Sequence, residues 1–155
     1  MMWDQPVHKL FEAQAAQTPE AEAIFFLGQR LTYRELNRRA NQLAHYLGSL
    51  GIGPEKRVGL CVEPSLETVV GLLGILKAGG ACVPLDSTHP QERLDLALRQ
   101  AGAHALLTQG RLSHRFAQFQ ATLCLDSDGG LIAQQSDENF DGRVTTASLA
   151  YIVFS

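Results

Sequence analysis

The stretch Leu76 to Asp86, Leu-Lys-Ala-Gly-Gly-Ala-Cys-Val-Pro-Leu-Asp, turns a long apolar helix directly into a buried strand. A chain with such an elbow belongs among folds in which helices and strands alternate and pack in layers. Gly79-Gly80 lets the backbone leave the helix through a positive-φ residue and pass close to its neighbours. Pro84 ends the strand, because it has no N–H for a central ladder. Two helix–strand units are expected before the elbow and at least two after it.

In chain order, Val7, Leu10, Phe11 and Ala15 recur at helical spacing after Pro6, which predicts an amphipathic helix ending near Thr18-Pro19. Ala23 to Leu27, Gly28-Gln29 and Arg30-Leu31-Thr32 read as a β-hairpin with a tight turn. Thr32 and Glu35 form the pattern of a capping box, with Leu31 placed to staple against Leu36. The helix that follows carries an apolar stripe of Leu36, Ala40, Leu43, Leu47 and Leu50. Arg34, Arg38, Asn41, Gln42 and His45 fall mostly on the side expected to face water, and Gly51 closes the helix. Tyr33, Arg34 and Glu35 are therefore read as helix initiation rather than chemistry.

Gly51-Ile52-Gly53-Pro54 is glycine-rich, but it follows a helix and precedes a strand, the reverse of a dinucleotide loop, so it reads as a helix stop and turn. Arg57 to Val62 is an apolar run suited to a strand buried on both faces. The helix opened by Pro64-Ser65 is apolar nearly all round, with Gly71 and Gly74 three apart, which implies burial between layers with close backbone contact at the glycines. Beyond the elbow come the strand Ala81 to Val83, a loop, and a helix from Pro90 whose inner face is Leu94, Ala97, Leu98 and Ala101. Strands follow at Ala105 to Leu107 and Ala121 to Leu125, with a short helix at Leu112 to Phe119 between them. From Asp126 to Ser148 the pattern breaks into an exposed connection with a short helix at Leu131 to Gln135. Leu149 to Phe154 is another buried-strand run, followed by Ser155. Together these elements predict an α/β fold with a mainly parallel sheet and helices on both faces.

Composition narrows the functions. A net charge of -3 and pI near 5.9 argue against a general nucleic-acid binder. The apolar run Val69 to Leu76 is too short for a membrane span, and the first residues lack the pattern of a signal peptide, so a cytoplasmic location is expected. Cys61, Cys82 and Cys124 suggest neither a disulfide frame nor a zinc site and read as buried thiols in strands. The five histidines show no metal-ligand spacing and read as surface or helix-end residues. The acids between Asp126 and Asp141 lack the alternation of a calcium loop. In parallel α/β sheets ligands sit beyond the carboxyl ends of the strands, so a functional loop is expected to begin at Ser155.

Three stretches together resemble the first three core motifs of amino-acid adenylation domains of nonribosomal peptide synthetases: Leu31-Thr32-Tyr33-Arg34-Glu35-Leu36, the Leu76 to Asp86 elbow, and Leu149 to Ser155. His89-Pro90-Gln91-Glu92-Arg93-Leu94 is similar to the segment after the second motif. Cys82, where the family usually has an aromatic residue, and Phe154-Ser155, where Tyr-Thr is common, are mild departures.

The resemblance implies an incomplete N-terminal subdomain of an adenylate-forming enzyme, with residues 1–155 a partial AMP-binding domain truncated at the start of its phosphate-binding loop. It implies attack of an amino-acid carboxylate on the α-phosphate of Mg-ATP, then transfer to a phosphopantetheinyl carrier domain. ATP and Mg2+ are implied for the complete domain, and the chain alone is expected to bind neither tightly and to be inactive. Ser155 is the one expected nucleotide-binding residue, as the first position of the phosphate loop, and no catalytic or metal-binding residue is expected. Two other readings stand beside this one: a non-catalytic partner completing a split adenylation enzyme in trans, and a fragment of an acyl- or aryl-activating ligase. No nucleic-acid or membrane partner is expected.

Overall fold

A computed structural model describes residues 7–119 and 121–139. The strand expected at Leu149 to Phe154, and Ser155, lie outside the described residues.

Helix α1 (Val7–Gln17) leads into the hairpin β1 (Glu22–Phe26) and β2 (Gln29–Thr32). Leu27 and Gly28 make its tight turn with φ of 50° and 81°, the positive values that match the twist of the two strands. Helix α2 (Tyr33–Ser49) starts with the expected capping box. Glu35 N–H donates to Thr32 Oγ1 at 3.2 Å, and Thr32 N–H donates back to Glu35 Oε1 at 3.1 Å. The Thr32 backbone bond is the first cause of the lowered pKa of the Glu35 carboxyl.

The main sheet then alternates with helices: β3 (Arg57–Leu60), α3 (Leu66–Lys77), β4 (Ala81–Pro84), α4 (Gln91–Ala101), β5 (Ala105–Thr108), a 3₁₀ turn (Ser113–Phe116), β6 (Thr122–Cys124) and α5 (Gly129–Ala133). Its four described strands are all parallel in the order β4-β3-β5-β6. Helices cover both faces, as expected. On one side α2 and α3 pack with Val58, Leu60 and Leu107, and on the other α4 and the 3₁₀ turn pack with Val83 and Leu106.

α3 is the centre of the first layer. A Cβ at Gly71 would lie 2.8 Å from Leu60 Cδ1 of the sheet, and one at Gly74 would lie 2.5 Å from Leu43 Cδ2 of α2. At Gly74, where Leu43 Cγ would also stand 2.7 Å away, glycine lets α3 sit this close to α2, while at Gly71 the close contact is the tip of the Leu60 side chain. At the elbow, Gly79 has φ of 89°, Gly80 N–H bonds Ile75 O and Gly79 N–H bonds Leu76 O, each at 3.0 Å. That pair of bonds is the Schellman ending, which satisfies carbonyls the helix would leave free. The chain closes α2 and α4 in the same way, through Ile52 to Leu47 and Ala103 to Leu98.

Pro84 is the last residue of β4, as expected, and β4 is an edge among the described strands, where the missing N–H takes nothing from a central ladder. Two expectations change. Leu50 lies beyond α2 and is 55% exposed, outside the buried stripe. His8, read as a surface residue, is buried.

Candidate functional site

The carboxyl edge of the parallel sheet is where this architecture offers a ligand site. Four loops meet there, after β3, β4, β5 and β6, and each is held by side chains of its neighbours. Gln109 Oε1 accepts from Glu63 N–H at 3.1 Å, and Arg111 Nη1 pairs with Glu63 Oε2 at 3.4 Å, which bridges the β3 and β5 loops. Thr108 Oγ1, fully buried, donates to Cys61 O at 2.6 Å beneath them. Asp126 Oδ1 accepts from Gly110 N–H at 2.9 Å and ties the β6 loop to the β5 loop. That bond is the leading cause of the lowered pKa of the Asp126 carboxyl.

The β4 loop is closed from within and clamped from outside. Asp86 Oδ1 accepts from Thr88 Oγ1 at 2.7 Å and from Thr88 N–H at 2.9 Å, and these bonds depress the Asp86 pKa. Arg115 of the 3₁₀ turn donates to Ser87 O, to His89 O at 2.7 Å and to Gln91 Oε1 at 3.2 Å. A planar guanidinium with its donors spread over two carbonyls and an amide fixes the loop more tightly than a lysine would. A cleft of about 930 Å³ runs beside α4 from Gln91 to Gly102, floored by Leu98 and Phe116 and rimmed by Asp95 and His114.

The edge is thus a self-satisfied rim. Among the described residues no group of three His, Cys, Asp or Glu side chains could hold a metal ion. The acids of this edge are engaged: Asp86 accepts from Thr88, Asp126 from Gly110 of the β5 loop, and Glu63 pairs with Arg111. No chemical step is assigned to them. Burial pushes the Cys82 thiol up to about 12 and the Cys61 thiol up to about 11, which keeps both protonated and inert. The one residue expected to touch nucleotide, Ser155, lies outside the described residues.

Two polar groupings escaped the sequence pattern. Lys77, fully shielded in the last turn of the apolar α3, is ion-paired with Glu12 of α1 and lies 5.9 Å from the centre of the Phe11 ring. Desolvation lowers the Lys77 pKa and the Glu12 carboxylate opposes the shift. His8 lies one helical turn before Glu12. The signal was available: a lysine closing an otherwise apolar helix, and His8 and Glu12 at a spacing of four. The second grouping is the polar face of α2, which was expected to face water and instead holds residues 133–139.

The whole of residues 11–155 matches the family model described as AMP-binding enzyme. The chain belongs to the AMP-binding enzyme family. It is 44% identical over 154 residues to tyrocidine synthase 3 of Brevibacillus parabrevis, covering 98% of this chain and 2% of that protein. The nonribosomal peptide synthetase FmoA3, in its α-methyl-L-serine-AMP bound form, matches with a TM-score of 0.91 at 33% identity, over 98% of this chain and 17% of that one. The Klebsiella oxytoca NpsA N-terminal subdomain shares the fold with a TM-score of 0.79 at 23% identity, over 99% of this chain and 39% of that one. The chain therefore resembles the N-terminal part of the adenylation domains of nonribosomal peptide synthetases, and it spans a small fraction of the curated relatives it matches. No described helix of this AMP-binding family member is long and apolar enough to cross a membrane.

Proposed function

We propose that this chain is the N-terminal part of an amino-acid-activating domain in nonribosomal peptide biosynthesis, with residues 1–155 a partial AMP-binding domain that is inactive alone. The observation that carries the reading is the 44% identity to tyrocidine synthase 3 sustained over 98% of the chain. The self-satisfied rim of the sheet supports a scaffolding role for the described residues, because Asp126 is held by Gly110 N–H, Arg115 by the His89 carbonyl and Glu63 by Arg111.

In the complete domain an amino-acid carboxylate attacks the α-phosphate of ATP, an aminoacyl adenylate forms and pyrophosphate leaves. A carrier-domain phosphopantetheine thiol then takes the aminoacyl group. Ser155 stands at the first position of the expected phosphate loop, where hydroxyl and backbone N–H donors would meet phosphate oxygens. Mg2+ supplies charge neutralisation at the phosphates when bound. What this chain contributes is the packed sheet and helices on which such a loop is hung.

The test is amino-acid-dependent ATP–pyrophosphate exchange by the domain completed beyond Ser155, as one polypeptide or as two co-expressed chains. Exchange with at least one amino acid supports the reading, and restoration in trans supports a split enzyme. Exchange driven by fatty or aryl acids and by no amino acid would overturn it.

A further inference from the structure

α1 packs over α2 and α3 without joining the core beneath them. Among the described residues, no fully buried member of either apolar cluster comes from it. Phe11 reaches the edge of the first cluster half-buried, its ring 5.6 Å from that of Tyr33, and Leu10 is 43% exposed. Ala15 is buried, but its single methyl removes little apolar area from water.

What α1 buries is mostly polar. Glu12 is ion-paired with Lys77 of α3 and, at 3.3 Å, with Lys9. His8, 2% exposed, stands one turn before Glu12, and its Nε2 has no hydrogen-bond partner among the described residues. The charged groups acting on the imidazole are Glu12 and Lys9 of its own helix and Lys77 of α3. A neutral imidazole tolerates this place. An imidazolium there would be out of water, near two ammonium groups and with its Nε2–H unused, and only Glu12 would favour it.

The chain after α1 is anchored separately. Arg34 N–H donates to Pro19 O and Tyr33 N–H to Ala21 O, each at 2.9 Å, and Arg34 pairs with Glu20 at 2.8 Å. These bonds tie 19–21 to the start of α2, whereas Thr18 N–H closes back on Gln14 O at 2.9 Å. The helix and its anchor therefore meet at Thr18-Pro19.

We propose that α1 is a strap that opens as a unit on proton uptake at His8, swinging at Thr18-Pro19 and uncovering Lys77 while α2, α3 and the main sheet stay packed. The Glu12–Lys77 pair is the latch that holds it closed. Above pH 6.5 His8 is neutral whether α1 is docked or free, and the latch has its full strength. Burial holds the docked imidazole down from 6.5 to about 4, so below pH 6.5 the free helix takes the proton first. Opening then becomes about tenfold more frequent for each pH unit toward pH 4.

Amide hydrogen exchange of the 155-residue chain, corrected for the intrinsic rate at each pH, reads this directly. Residues 11–17 should open about fifteenfold more often at pH 5 than at pH 6.5, with the protection of α3, β3 and β5 unchanged. His8→Gln, which does not titrate, should remove most of that rise. Lys77 gives a second readout at fixed pH 6.5: Glu12→Gln should speed acylation of its amine by an N-hydroxysuccinimide acetate at least tenfold, with α3 still protected. If His8→Gln fails to fold, the wild-type pH series and the Lys77 acylation decide. Exchange in 11–17 that ignores pH overturns the proposal, as does protection lost in parallel through α3 and the sheet. A folded His8→Gln chain that keeps the wild-type slope overturns it too.

Discussion

Lys77 closes α3 with its ammonium fully shielded from water, and its ion-pair partner is Glu12, placed 65 positions earlier on α1. The pair is the polar pin that fastens the first helix to the layer carrying the elbow. Removing one partner leaves the other as an uncompensated buried charge, so Glu12→Ala should lower stability by about 3–5 kcal/mol. Replacing both, Glu12→Leu with Lys77→Met, should be neutral or stabilising, because desolvation then disappears with the charges. Urea unfolding of the two variants decides this, and a double variant as unstable as Glu12→Ala would refute it.

His8 gives the same region a pH dependence. Burial holds its pKa down from 6.5 to about 4, with Glu12 pulling the other way and Lys77 adding to the fall. Above pH 6.5 the imidazole is neutral in both folded and unfolded chains and costs nothing. Between pH 6.5 and about 4 the unfolded chain takes up the proton first, so stability falls as the pH drops through that window, by at most about 3 kcal/mol. His8→Gln should flatten that portion of the stability profile, measured by thermal unfolding at half-unit pH steps.

The packing of α3 on α2 leaves no room at Gly74, where a Cβ would stand 2.5 Å from Leu43 Cδ2. Gly74→Ala should destabilise by about 1–3 kcal/mol through overpacking, and Gly74→Ala with Leu43→Ala should recover part of it. Gly79→Val should cost about 1–3 kcal/mol for a different reason, the positive φ of 89° at the elbow. Leu43→Ala should give that variant no relief.

At the hairpin turn the strain lies on the surface. Leu27 adopts φ of 50° and is 85% exposed, so its side chain contributes nothing to the core while its backbone sits in the left-handed region. Leu27→Asn, giving the Asn-Gly pair that this turn prefers, should raise stability by about 0.5–1 kcal/mol. A lower melting temperature would show that Leu27 makes a contact that outweighs the strain.

Much of this fold is legible in the residues because local signals agree with one another. The capping box at Thr32 and Glu35 and the apolar run of α3 with its two glycines each specify a local geometry that the structure adopts, and the hairpin forms with its turn at Leu27-Gly28, one residue before the expected Gly28-Gln29. What the pattern misses is set by long-range contact. Asn41 is polar, and a helical period places it opposite the leucines, yet its carbonyl partner at Asp137 lies 96 positions away. Periodicity separates apolar from polar faces and does not say whether a polar face meets water or another stretch of backbone. His8 and Lys77 escape for the same reason, since a buried charge is stable only through a partner that periodicity cannot supply. The candidate site was legible as a place, the loop expected beyond the strand run Leu149 to Phe154, and its chemistry only as a resemblance, because a phosphate loop works through backbone donors that no single residue type announces.

If this chain is the scaffold part of an amino-acid-activating domain whose chemistry is assembled from Ser155 onward, ATP–pyrophosphate exchange should separate the purified 155-residue chain from the domain completed beyond Ser155. No amino-acid-dependent exchange is expected from the chain alone, and clear exchange from the completed domain. Amino-acid-dependent exchange from the 155 residues by themselves would refute the scaffold reading.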